Sequence, residues 1–292
     1  PKAYFDRLKT QNPSLLAKNV NHGLDIATKS NQKETRLVRA LDGKVRGFLS
    51  SRYRVLDAHD LLEATLPLLI NSQFDIVSSE ITERRLYLKS VTKKIQGEVK
   101  VNDVVQYGVM ISTSDVGAGS LRVEPFFYRL ACLNGMVMET KFRKAHLGSN
   151  NFEREVQELL SDNTKKLNNE AFFATVRDYV SATMKPELFE RELNKMRDAA
   201  NQKILNFDLN QVVELTMNEV GIKGEKAKKS ILESLASGNE DAGLTKWGLL
   251  NSFTRAAQNP EIDYDSSVDL ERAGGLILNL DGKQWKKIAE VA

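Results

Sequence analysis

One stretch, Phe74 to His146, sets the limits on what this chain can fold into. Phe74-Asp-Ile-Val-Ser-Ser-Glu-Ile-Thr-Glu-Arg-Arg-Leu-Tyr-Leu-Lys-Ser-Val places β-branched and apolar residues at roughly every second position, the pattern of a strand pair with one covered face. Val104-Val-Gln-Tyr-Gly-Val-Met-Ile-Ser-Thr-Ser and Leu121-Arg-Val-Glu-Pro-Phe-Phe-Tyr-Arg-Leu-Ala-Cys continue it. Between them, Asp115-Val-Gly-Ala-Gly-Ser supplies the glycines that a hairpin loop needs for positive backbone angles. Short turns join only antiparallel neighbours, so the expectation is a sheet of about four antiparallel strands. Asn134-Gly135 reads as a tight turn between Phe126–Leu133 and Met136–Phe142.

Upstream, Arg36-Leu-Val-Arg-Ala-Leu and Val45-Arg-Gly-Phe-Leu read as two strands joined at Asp42-Gly43, a strong hairpin signal. Asp57 is placed to cap a helix whose Leu61, Leu62, Thr65, Leu66 and Leu69 form one stripe for packing on the sheet, with Pro67 as a kink point. Residues 1–35 read as an arm with one short helix at most. After Gly148 the pattern turns helical. Helices are expected over 151–168, 170–184, 186–200, 209–220, 224–236, 244–258 and 284–291, with Asp263 before another capped start and the run from Gly274 as a short strand or turn. The fold class is therefore α+β: an antiparallel sheet with a packed helix in the first half and a mainly helical second half. The division is an arm (1–35), a basic α+β core (36–150) and a mainly helical acidic region packed on that core (151–292).

The net charge of +3 conceals an asymmetry. Residues 1–150 hold 23 Lys and Arg against 15 Asp and Glu, a net +8, and residues 151–292 hold 19 against 24, a net −5. An anionic partner therefore belongs to the first half. The candidate nucleic-acid-binding residues are Arg46, Arg52, Tyr53, Arg54, Arg84, Arg85, Lys89, Lys93, Lys94, Arg122, Arg129, Lys141, Arg143 and Lys144; those from Arg84 onward are expected, with Lys100, on one face or edge of the sheet. Arginine beside a planar ring, as in Phe48-Leu-Ser-Ser-Arg-Tyr-Arg, holds phosphate and stacks on a base. The alternative is a tyrosine plugged into the core with solvated arginines on either side. Tyr53, Tyr87 and Phe127 are the candidate stacking rings.

Other chemistry is thinly represented. His22, His59 and His146 lie far apart and, with the single Cys132, make no structural zinc site. Cys132 reads as a buried inert thiol in a strand. Asp263, Asp265, Asp269 and Glu271 are either a divalent-ion cluster or helix caps and first-turn acids, the latter being the better match. Gly117-Ala-Gly-Ser lacks the lysine of a nucleotide-hydrolase phosphate loop. Val220-Gly-Ile-Lys-Gly departs from a helix–hairpin–helix clamp by the inserted Lys223. No catalytic constellation, cofactor or membrane span is expected. The opening Pro1-Lys-Ala-Tyr-Phe-Asp lacks the apolar core of a signal peptide and the lone cysteine fits a reducing compartment, so a cytoplasmic protein is expected.

Five stretches in order carry a resemblance: Phe48-Leu-Ser-Ser-Arg-Tyr-Arg-Val-Leu-Asp, Ser114-Asp-Val-Gly-Ala-Gly-Ser-Leu, Arg129-Leu-Ala-Cys-Leu-Asn-Gly-Met, Lys144-Ala-His-Leu-Gly and Thr245-Lys-Trp-Gly-Leu-Leu-Asn-Ser-Phe-Thr-Arg-Ala-Ala. They resemble a phage and plasmid family catalogued as domain of unknown function 932. The layout of a helix followed by a basic sheet also looks like the ring-forming single-strand annealing proteins of the Rad fifty-two type, an analogy of fold and charge rather than of matched residues. The expectation is a non-enzymatic phage or plasmid protein that binds and anneals single-stranded DNA in recombination or replication, as a ring or filament of identical copies. The alternative is a regulatory module that docks an acidic host or replication partner through its basic face. On the first reading Arg52→Ala with Arg54→Ala weakens single-strand binding in a fluorescence titration and leaves the circular dichroism spectrum unchanged. Loss of fold would place Tyr53 and its neighbours in the core instead.

Overall fold

The computed structural model describes residues 6–7, 10, 13–27, 33–50, 53, 55–139, 143–144, 162–237 and 243–290. A single helical turn, Pro13–Leu16, precedes a three-stranded sheet of β1 (Val20–Ala27), β2 (Lys33–Leu41) and β3 (Lys44–Ser50), in that spatial order. Both pairings are antiparallel. The β2–β3 hairpin turns where expected: Asp42 and Gly43 both take positive φ, 50° and 73°, as a two-residue turn matched to strand twist requires. β1 corrects the expectation of a weakly structured arm. Its Val20-Asn-His-Gly-Leu-Asp-Ile-Ala run is too polar to read as a strand alone, and its register is set by pairing along β2, from Val20 opposite Ala40 to Ala27 opposite Lys33.

Helix α1 (Ala58–Asn71) follows and buries Leu61, Leu62, Thr65, Leu66 and Leu69, the stripe read from the sequence. It runs through Pro67. The second sheet has the order β4 (Asp75–Ile81), β5 (Leu86–Glu98), β6 (Val104–Thr113), β7 (Leu121–Arg129), β8 (Asn134–Val137), with β9 (Arg143–Lys144) pairing on β7. It has six strands rather than four. Asn134-Gly135 is the start of β8 and not a turn: Asn134 pairs with Arg129, and the reversal is made by residues 130–133, with Leu133 at φ 54°. Cys132 accordingly sits half-buried in that turn rather than in a strand.

The helical half comprises α2 (Asp162–Thr183), α3 (Pro186–Asn201), α4 (Leu209–Val220), α5 (Glu225–Ala236), α6 (Lys246–Ala256), α7 (Tyr264–Leu278) and α8 (Gly282–Ala289). Side-chain caps fix the starts of α4, α6, α7 and α8: those of Asp208, Thr245 and Asp263 accept from Gln211, Gly248 and Ser266 N–H groups, and Asp281 with Gln284 forms a capping box. Gly221 closes α4 in the left-handed conformation, and Gly224 precedes α5, so this stretch is a helix–helix turn. Where two helices were expected over 151–168 and 170–184, one helix spans Asp162–Thr183, and residues 151–161 lie outside the described set. Among the described residues no helix is long and apolar enough to cross a membrane.

By contact the chain forms two units: residues 1–90, 110–123 and 141–182, and residues 91–109, 124–140 and 183–292. The second has a large apolar core in which Tyr107, Phe127 and Phe189 meet with ring centroids 5.0–6.0 Å apart. α6 packs on α3, α5 and α7, and α7 lies on β8. Gly274 and Gly275, read from sequence as a short strand or turn, are inside α7. Here they allow close approach, since a Cβ on Gly275 would collide with the Val137 carbonyl and one on Gly274 with Thr254. Gly275→Ala is therefore expected to cost about 1–3 kcal/mol in urea denaturation. Gly282→Ala, which meets nothing within 4 Å, should be neutral or stabilising by up to about 1 kcal/mol.

Candidate nucleic-acid interface

The first unit is tied together by a buried polar cluster. Asp57 was expected to cap α1, but its side chain makes no cap bond. Its Oδ1 instead accepts from Asn19 N–H at 3.3 Å, from Asn19 Nδ2 at 2.8 Å and from Arg39 Nη2. The free amide at the start of α1, on Ala58, donates to Asp115 Oδ1 at 2.9 Å, so an acid from a distant loop does the capping. Asn19 Nδ2 also reaches Asp115 Oδ2 at 3.3 Å, and Asn19 Oδ1 accepts from Arg46 Nη1 at 3.0 Å. Arg39 has no exposed surface, and its Nε and Nη1 have no hydrogen-bond partner.

The β6–β7 loop, residues 114–120, is fastened to this cluster. Ser114 Oγ accepts from the Val116 and Ala118 amides at 3.2 and 2.9 Å, a local serine turn. The Ser114 carbonyl accepts from the Tyr53 hydroxyl at 2.9 Å, and the Ala118 carbonyl accepts from Arg85 Nε and Nη2 at 3.0 and 2.5 Å. Burial pushes Asp115 up to about 6, the negative charge of Asp57 adds to this, and Arg39, Arg46 and the Ala58 amide partly offset it. The folded state thus takes up this proton before the unfolded chain does. The stabilisation from that proton is complete below the ordinary carboxylate range and is lost as the pH rises through about 6. Burial also raises the Tyr53 hydroxyl well above its ordinary value.

Between the β2–β3 hairpin, the β4–β5 corner and the 114–120 loop lies an open groove of about 730 Å³. Lys44, Arg46 and Arg84 line it, with Asp42 and Glu83 as the acids and Phe48 among the apolar members. Phe48 is 54% exposed and Val45 67%. Arg46 Nη2 donates to the Glu83 carbonyl at 2.6 Å and so holds the corner to the hairpin. Glycines set the closeness of the walls: a Cβ on Gly47 would stand 3.3 Å from Val116, and one on Gly117, at φ +79°, would collide with Leu49.

Of the residues read from sequence, Arg46 and Arg84 line the groove and Arg85 braces the loop beside it. Tyr53 is half-buried and anchors Ser114. Lys93 and Lys94 are exposed on β5, and Arg122 is half-buried on β7. Lys89 and Arg129 are buried, which corrects their placement on an exposed basic face, and Tyr87 and Phe127, at 1% and 2% exposed, have no surface on which to stack a base. The physical reason is that β5 to β7 are covered over most of their length, so alternation does not leave one open face. Arg52, Arg54 and Lys141 lie outside the described residues, and of Arg143 and Lys144 only the backbone pairing with Arg122 and Leu121 is described. Sequence reasoning missed Asn19, Lys44, Asp57 and Asp115 as members of one arrangement. The signal for Asp115 was its place beside the loop glycines, and Asn19 gave none.

In the second unit Arg129 is a structural hub. Its Nε and Nη2 donate to Asp103 Oδ1 and Oδ2 at 2.5 and 3.0 Å, its guanidinium carbon lies 5.8 Å from the Trp247 ring centroid, and Trp247 Nε1 donates to Asp103 Oδ2 at 2.9 Å. Asn134 reaches Asn251 and Thr254, and Gln258 caps the Cys132 and Leu133 carbonyls. The stretches around 129–136 and 245–257 are thereby joined. Asp263 caps α7 and Asp269 pairs with Arg272 at 3.4 Å, the helix-cap reading of that acidic run. Among the described residues the side chains close enough to share a metal ion are His59, Asp60 and Glu63 on one turn of α1. Asp103→Ala leaves the Arg129 charge buried without its partner and is expected to cost about 3–5 kcal/mol in chemical denaturation. Asp269→Ala, at an exposed pair, should cost under about 1 kcal/mol.

No curated protein and no solved structure matches the chain. A family model does match, over residues 45–273. That span takes in Arg46, Phe48, Arg84, the 114–120 loop and the Arg129 hub, and on it the chain belongs to the family described as Domain of unknown function (DUF932).

Proposed function

We propose that this protein binds single-stranded nucleic acid in the groove of its first unit, without catalysing a reaction on it. The observation that carries the reading is the groove itself. Lys44, Arg46 and Arg84 line it beside a half-exposed Phe48, the 114–120 loop forms a further wall, and Asn19 and the Glu83 carbonyl hold Arg46 in place. Cations neutralise phosphates and release counterions, and a ring at the rim accepts a base by stacking, which is sequence-tolerant because every base has a π-face. An annealing protein must grip the backbone and leave base edges free to pair, and point-like cationic contacts do this. A role in phage or plasmid recombination or replication, with several copies aligned in a ring or filament, extends the same reading.

Val45, 67% exposed at the groove, favours a second reading, since a bare aliphatic side chain suits a protein partner better than a phosphate. On that reading an acidic host or replication factor docks at the same place. Fluorescence anisotropy with labelled single-stranded and duplex oligonucleotides over a salt series separates the two. The nucleic-acid reading expects preference for the single strand, and affinity that grows with oligonucleotide length and falls steeply with salt. Lys44→Ala with Arg84→Ala should flatten the log–log salt slope by about 1.4, at roughly 0.7 per phosphate contact on a single strand. Phe48→Ala should cost about 1–3 kcal/mol of binding. Indifference to oligonucleotides at low salt would leave the protein-docking reading in front.

A further inference from the structure

Asn19 joins residues that the chain keeps far apart. Its one amide nitrogen serves two carboxylates, Asp57 and Asp115, while its oxygen holds Arg46, a groove residue. Both carboxylates are buried, and so is Arg39, which donates to Asp57 from β2 and acts on Asp115 through its charge. The other groups facing Asp115 are Arg46 from β3, the Tyr53 hydroxyl and, from α1, the Ala58 amide. Farther along α1, His59 and Glu63 form their own group with Asp60, which pairs with Lys18 at 2.8 Å. With both carboxylates ionised, Arg39 and Arg46 balance Asp57 and Asp115. One proton added there leaves a net positive charge directly behind the groove.

The geometry points to a proton-controlled groove: a polyanion seated against Arg46 and Arg84 draws a proton onto Asp115, and polyanion affinity rises as the pH falls. This deepens the nucleic-acid reading and rests on it. Coupling between two sites is reciprocal, so the proton that strengthens binding is also taken up on binding. Protonated Asp115 keeps one oxygen for the Ala58 amide, while the other oxygen changes from acceptor to donor. The 3.3 Å contact from Asn19 Nδ2 is therefore the bond released. Burial and the Asp57 charge, which push Asp115 up to about 6, put the transition within reach of ordinary buffers.

The test titrates a labelled oligo(dT) strand into the full chain from pH 5 to pH 8 at fixed ionic strength, for wild type and Asp115→Asn, whose amide oxygen still accepts from Ala58. Wild-type affinity should rise as pH falls, by at most about tenfold per pH unit for a single proton. Asp115→Asn should show no such rise and should bind at pH 8 about as tightly as wild type at pH 5. The double variant His22→Gln, His59→Gln should keep the wild-type slope, since the groups acting on Asp115 are Asp57, Arg39, Arg46 and the Ala58 amide. Carboxyl-carbon NMR of the free wild-type protein reads Asp115 without any variant, and a midpoint near 6 is expected. A slope retained in Asp115→Asn, or a midpoint in the ordinary carboxylate range, overturns the proposal. If the oligonucleotide binds at no pH, the nucleic-acid reading alone is lost. Inorganic polyphosphate then takes its place as the polyanion, and a flat profile with that probe overturns the proton control as well.

Discussion

Two buried carboxylates of the first unit, Asp57 and Asp115, are held together by one asparagine amide, and a fully buried arginine, Arg39, pairs with Asp57. Much of the first unit's detail depends on this arrangement. A buried charge is costly unless it is paired and hydrogen-bonded, so the cluster fixes where each of its members must be. It sets the start of α1, because Asp115 supplies the acceptor that Asp57 does not. It sets β3, because Arg46 is tied to Asn19 on one side and to the Glu83 carbonyl on the other. It also sets the 114–120 loop, whose second residue is Asp115 itself. The groove is the outer surface of what this cluster holds in place.

The second unit solves a similar problem differently. Asp103 answers a buried Arg129 with a two-point ion pair and takes a third bond from the Trp247 indole. Every oxygen of that carboxylate is used, and the guanidinium lies over an aromatic ring. This hub is closed on itself. The cluster behind the groove keeps two Arg39 nitrogens without partners and a carboxylate that resists ionisation. Shifted ionisable groups of this kind are concentrated at functional sites.

The parts of the fold legible in the sequence were those governed by local rules. Asp42-Gly43 dictated a hairpin, the leucine stripe of α1 dictated its buried face, and Asp263 announced a helix start. What stayed hidden depended on partners distant in sequence. β1 is a strand because β2 is there to pair with it. Gly274 and Gly275 look like a short strand or turn, yet they sit in a helix and are small because Thr254 and Val137 come so close to them. Arg129 and Lys89 read as surface cations because nothing local says that β5 and β7 are covered. For the site, Arg46 and Arg84 were visible as basic residues, but Asn19, 27 residues before Arg46, became meaningful only once both were placed.

We propose that a single strand occupies the groove between the β2–β3 hairpin, the β4–β5 corner and the 114–120 loop. Photo-crosslinking with an iodouracil-substituted single strand, followed by mass spectrometry of the adducts, tests it directly. Adducts are predicted at Phe48 and on the peptides carrying Lys44 and Arg84, and they should be competed away by unlabelled single strand. Efficient crosslinking confined to the second unit, or adducts that no competitor removes, would contradict it.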